Sequence, residues 1–130
     1  MAVNIMLWKD KANGKLEPTL FSVTAEKLAK EIGEEDRNLN KSSQLRRYFD
    51  EVVRLSTQAK AGGADMDLLL PQVHMLVAKV AYAKGRKLVT DSFVEMMKSG
   101  IGQVNDKDDL RVFANFLESF MGFYKMYRPR

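Results

Sequence analysis

The stretch LLLPQVHMLVAKVAYAKGR, residues 68–86, decides the fold. From Gln72 to Tyr82 only Gln72, His74 and Lys79 are polar. Leu69, Val73, Leu76, Val77 and Val80 recur at three- and four-residue steps, the period of one helical face. Ala78, Met75 and Tyr82 point the other way, so the helix is apolar on nearly every side. Such a helix is normally the one that its neighbours pack around, and the expectation is a central third helix. Asp65 is its expected N-cap, and Pro71 is tolerated in or just beyond its first turn.

Working outward, the flanking segments carry the same period. After Asn40 a second helix runs to about Ala61, with Leu45, Tyr48, Phe49, Val52 and Ser56 on its inner face, and Gly62-Gly63 ends it. A short helix at roughly 24–32 precedes it, with Leu28 and Ile32 inward. Gly33 is read as its stop and Glu34-Glu35-Asp36 as a solvated acidic loop. Beyond the Lys84-Gly85-Arg86-Lys87 turn, Thr90 caps a fourth helix carrying Phe93, Met97 and Ile101 inward. Asn105 or Asp106 then caps a fifth, along which Phe113, Phe116, Leu117, Phe120, Tyr124 and Tyr127 share one face. Asp108 and Asp109 suit the positive end of that helix. The prediction is an all-α chain, a bundle of about five helices in one domain over 23–130. Residues 1–22 form an extended segment, in which Asn13-Gly14 between apolar runs allows a small hairpin or a tail that orders against a neighbour.

The chemistry on offer is thin. With no Cys and one His in 130 residues, thiol nucleophiles, Cys-ligated metals and paired-His metal sites are excluded. No phosphate-loop, dinucleotide or nucleophile-elbow motif occurs. His74, as a general base, would be the only route to a small enzyme, and its position on the flank of an apolar helix favours a packing or surface role. The Asp106, Asp108 and Asp109 cluster lacks the glycine and distal glutamate of a calcium loop, and helix capping explains it. No catalytic residue, metal or cofactor is expected. Nothing approaches the length of a membrane span or resembles a secretory leader, so a cytoplasmic protein without a membrane partner is expected.

Charge is more informative. The net charge is +4, and between Lys41 and Lys87 nine basic residues face four acidic ones. On the second helix Lys41, Arg46, Arg47 and Arg54 are the cations. Arg47 and Arg54 share the outward face, and Arg46 lies at the edge of the core face. Arg46–Asp50 and Arg47–Glu51 are possible i, i+4 pairs. Lys79, Lys84, Arg86 and Lys87 lie in a run without any acid from Leu68 to Thr90, and so lack partners nearby in sequence. Gly85 is read as a pivot for a tight turn beneath a phosphate. Two such groups supply sequence-independent affinity for RNA. A protein-only adaptor, docking through Met75, Tyr82 and the N-terminal apolar segment, is the alternative.

KSSQLRRYFDEVVRL at 41–55, the stretch at 68–86 with its AYAKGR ending, and DLRVFANFLESFMGFYK at 109–125 together resemble, in that order, one family. It is the small subunit of the type III-A CRISPR–Cas effector, the Csm complex of antiviral defence. The resemblance implies a non-catalytic helical bundle, several copies of which stack along the duplex of CRISPR RNA and target RNA. Its implied partners are both RNAs, contacted at the backbone, the backbone subunits of the complex, and neighbouring copies of itself. Carried over by position, Lys41, Arg46, Arg47, Lys79, Lys84 and Arg86 would face RNA. Gln72 and His74 depart from the more basic character expected beside Pro71.

Overall fold

The computed structural model describes residues 3–128; Met1, Ala2, Pro129 and Arg130 lie outside the described residues. Two short strands, β1 (Trp8–Asp10) and β2 (Lys15–Leu16), precede five helices: α1 (Val23–Glu35), α2 (Ser42–Lys60), α3 (Met66–Gly85), α4 (Asp91–Ile101) and α5 (Lys107–Tyr127). The hairpin pairs Trp8 with Leu16 and Asp10 with Lys15 around an irregularity. Gly14, at φ 69°, closes its turn in a conformation that costs glycine nothing.

The hub of the bundle is α5, not α3. α1 and α2 both pack against α5, whereas α3 leans on α4 and one flank of α2. The aromatic period explains the choice. Phe113, Phe116, Phe120 and Tyr124 are fully buried and stack successively along the helix, with ring centroids 5.3–6.5 Å apart. Four large rings bury more apolar area than any aliphatic stripe of equal length. On α3 the buried side is Leu69, Val73, Leu76, Val80 and Ala83, while Met75, Ala78 and Tyr82 lie in solvent. The uniform apolarity that predicted a central helix is therefore one buried face plus an exposed one.

Helix boundaries differ from expectation where long-range contacts override local signals. Gly33 does not stop α1; it is buried two residues before the helix ends. A Cβ there would lie 3.1 Å from Arg128 Cγ and 3.4 Å from a Tyr124 ring carbon, so glycine admits the end of α5. Glu34 and Glu35 accordingly belong to the helix rather than to a loop. The Glu35 carboxylate accepts hydrogen bonds from Thr90 Oγ1 and Ser92 Oγ, both at 2.6 Å. That tie pulls Thr90 away from capping α4 with its own side chain. On α2, Leu55 and Ala59 join the buried face and Phe49 is only half-buried.

The α1–α2 link is fixed by Asn40, fully buried at φ 58°. Its Nδ2 donates to Ile32 O and Thr90 Oγ1, its Oδ1 accepts from Thr90 N, and its carbonyl accepts from the Tyr124 hydroxyl. Burial pushes the Tyr124 hydroxyl pKa up to about 12. Arg128 donates to the carbonyls of Gly33, Asp36, Arg37 and Leu39, capping the end of α1 from the far end of the chain.

The N-terminal segment is docked rather than loose. Ile5, Leu7 and Leu20 are buried in the same core as the helices. Ile5 N donates to Ser99 Oγ and Leu7 N to Gln103 Oε1. Asp109 anchors the hairpin: fully buried, it accepts from Trp8 Nε1 at 2.8 Å, Lys11 Nζ at 2.9 Å and Asn105 N at 2.9 Å. Asp106 caps α5 by accepting from Asp109 N, and pairs with Lys11 at 2.7 Å. The acidic cluster thus serves as a clasp as well as a cap.

Candidate nucleic-acid interface

α2 and α3 run antiparallel, which brings one cation of each group, Arg47 and Lys79, to a common groove. Asn40 N donates to Leu88 O at 3.0 Å, joining the start of α2 to the end of α3. Arg47 and Lys79 line one groove, and one helical turn-pair farther on Arg54 Nη2 reaches Gln72 Oε1 at 3.4 Å. Seven residues down α2 thus correspond to seven residues up α3, as ridged helices of opposite direction require. The groove encloses about 500 Å3 and is also lined by Tyr48, Glu51, Met75, Leu76, Ala78 and Tyr82.

The eight cations singled out from sequence fall into distinct settings. Arg47 and Lys79 face each other across the groove. Arg86, the residue that closes α3, stacks its guanidinium over the Tyr82 ring at 5.9 Å, which draws it to the same side. Lys41, immediately before α2, follows Asn40, whose amide donates to Leu88 O just beyond α3, and Lys87 in that turn is exposed. Arg54 is neutralised by a bidentate pair with Glu51, at 2.9 and 2.7 Å. That pair replaces the anticipated Arg47–Glu51 contact, because Arg54 reaches both carboxylate oxygens at once. The Arg54 hydrogen bond holds the Glu51 carboxyl below its ordinary range against the opposing effect of burial, with Lys79 helping from across the groove. Arg46 is not at the core edge. It is well exposed on another flank of α2, 4.0 Å from Asp50. Lys84 has a partner after all, Asp91 at the head of α4, at 2.5 Å.

The turn after α3 is also built differently from expectation. Gly85 is the last residue of the helix, and the left-handed residue is Lys87, at φ 61°. The Leu88 amide returns to Ala83 O, so the chain tightens around Lys87 instead of pivoting at the glycine.

Two features escaped the sequence reading. Leu68 joins Met75 and Tyr82 in an exposed stripe at seven-residue steps, with 67%, 58% and 68% of each residue exposed. The spacing was legible as a heptad; it was submerged in the apolar excess around it. The Arg86–Tyr82 stack is an i, i+4 pair that sequence offers without distinguishing it from many others. His74 lies exposed on α3. Among the described residues no group of three His, Asp or Glu is placed to hold a metal, and no helix is long and apolar enough to cross a membrane.

Fold and groove together define a class: a small all-helical bundle with a cation-lined groove between two antiparallel helices. A family model described as Csm2 Type III-A matches residues 15–130, and the chain belongs to that family. Its members are the small subunit of the type III-A CRISPR effector, the Csm complex. Comparisons with curated proteins and with solved structures return no match.

Proposed function

We propose that this small subunit contacts the backbones of CRISPR RNA and target RNA through the α2–α3 side, and that several copies stack along the duplex beside the backbone subunits of the complex, in the cytoplasm. The observation that carries the reading is the meeting of Arg47 and Lys79 in one groove, where the only acid, Glu51, is already committed to Arg54. Lys41, Arg86 and Lys87 extend the same side toward the end of α3. Arg54 and Lys84 belong to the proposed surface as well, but each shares its charge with a carboxylate and contributes less, and Arg46, beside Asp50 on another flank of α2, contributes least. A surface of this kind neutralises phosphates and leaves base identity to pairing between guide and target.

The test is binding of the full chain to an RNA duplex over a salt series. Arg47→Ala and Lys79→Ala should each lower the slope of log affinity against log salt by roughly 0.7 to 1. Arg46→Ala and Lys84→Ala should change it less. Binding that is sequence-selective and insensitive to salt would refute the reading. A second reading, an adaptor that binds only protein, is favoured by the exposed Leu68, Met75 and Tyr82 stripe. It requires that neutralising the cations leave RNA capture by the assembled complex unchanged.

A further inference from the structure

The groove is not purely electrostatic. Tyr82 is an aromatic ring two-thirds exposed on a helix whose buried side is already complete. Its neighbours are cations. Arg86 covers one face of the ring, 5.9 Å from its centroid, and Arg47 and Lys79 line the groove that Tyr82 borders. Phosphates of a continuous duplex would satisfy the cations but leave the ring idle, because paired bases stack on one another and show only their edges. A free base face is presented by an unpaired nucleotide.

We infer that the Tyr82 ring is a stacking platform for one unpaired RNA base, whose phosphate sits between Arg47 and Lys79. The inference rests on the RNA-facing reading of this groove and adds the form of nucleotide it takes. Arg86, 5.9 Å from the ring centroid, adds a cation–π contact to the ring. Met75 and Ala78 supply the apolar floor beside it. The volume of about 500 Å3 is of the order of a small-ligand site. Charge selects the occupant. An apolar helix laid along this half of α3 would strip water from Arg47 and Lys79 without pairing them, whereas a nucleotide brings its own phosphate.

The test uses the full chain and two RNA duplexes identical but for one bulged fluorescent adenine analogue. The bulged duplex should bind more tightly, by about five- to 150-fold, the range that stacking of one base supplies, and its fluorescence should quench. Tyr82→Phe should keep the preference and the quenching, and Tyr82→Ala should abolish both. Equal affinity for the two duplexes, with the salt dependence intact, would overturn the stacking platform and leave the phosphate interface standing. Failure of both duplexes to bind would overturn both readings. If Tyr82→Ala instead splits a dimer seen by sedimentation and leaves bulge binding untouched, the stripe is a contact between copies and the inference is wrong.

Discussion

Gly100→Ala puts the packing of α4 on α5 to a quantitative test. In an open helix this substitution is favourable by about 1 kcal/mol, because alanine restricts the unfolded chain and glycine does not. At Gly100 the new Cβ would lie 2.2, 2.6 and 3.0 Å from three ring atoms of Phe113. That ring is fully buried and stacked on Phe116, so it has no solvent to swing into. Overpacking of this kind costs about 1–3 kcal/mol and more when a rigid ring must move. Set against the upper end of that cost, which a rigid buried ring imposes, the propensity gain of about 1 kcal/mol leaves an expected net loss of about 2 kcal/mol. Gly122→Ala is the matched control: also in a helix, exposed and with nothing within 4 Å, it should gain up to about 1 kcal/mol. Denaturant midpoints at unchanged m-value read both effects. Combining Gly100→Ala with Phe113→Leu, which removes the clashing ring atoms, should recover part of the loss as a coupling of about 0.5–3 kcal/mol. A Gly100→Ala protein as stable as the parent, or a double variant with no coupling, would refute the close α4–α5 contact.

Asn40→Ala should be among the most damaging single changes, at about 2–4 kcal/mol, since it strands Thr90 N and puts alanine at φ 58°; thermal unfolding indistinguishable from the parent would contradict the network drawn around it. The hairpin clasp gives an acid signature. Burial raises the Asp106 pKa, but Lys11 and the backbone amides of Asp109 and Asp108 more than offset it, leaving the carboxyl below its ordinary 3.8. A carboxylate depressed in the folded state contributes above its unfolded pKa and loses that contribution as pH falls through the folded one. Stability should therefore fall below about pH 4, and Lys11→Met should flatten that fall; an unchanged acid limb in the variant would remove Lys11 from the clasp.

What the sequence discloses depends on how far apart the partners lie. The face of α5 was legible from Phe113 to Tyr127 because its period is local. The rank of α5 as hub was not, because α3 displays as much apolar surface and only the three-dimensional arrangement shows which side is covered. Gly33 carries the same letter as a helix stop, and the reason it continues the helix is Arg128, some ninety residues away. Asp109 looks like one of several capping acids until Trp8 and Lys11 arrive from the other end of the chain. In the groove, the cations were all identified individually. Which were free depended on Asp91 for Lys84 and on the competition of Arg47 and Arg54 for Glu51, and neither is decided by spacing alone.

The placement of α5 also orders events during synthesis. α1 and α2 emerge from the ribosome well before the helix whose rings they cover, and the carbonyls at the end of α1 wait for Arg128. The first half of the chain thus leaves the tunnel with its apolar faces open, and the bundle closes only when residues 107–128 are free to reach it. A nascent chain halted after α4 would offer chaperones, not RNA, its most adhesive surface.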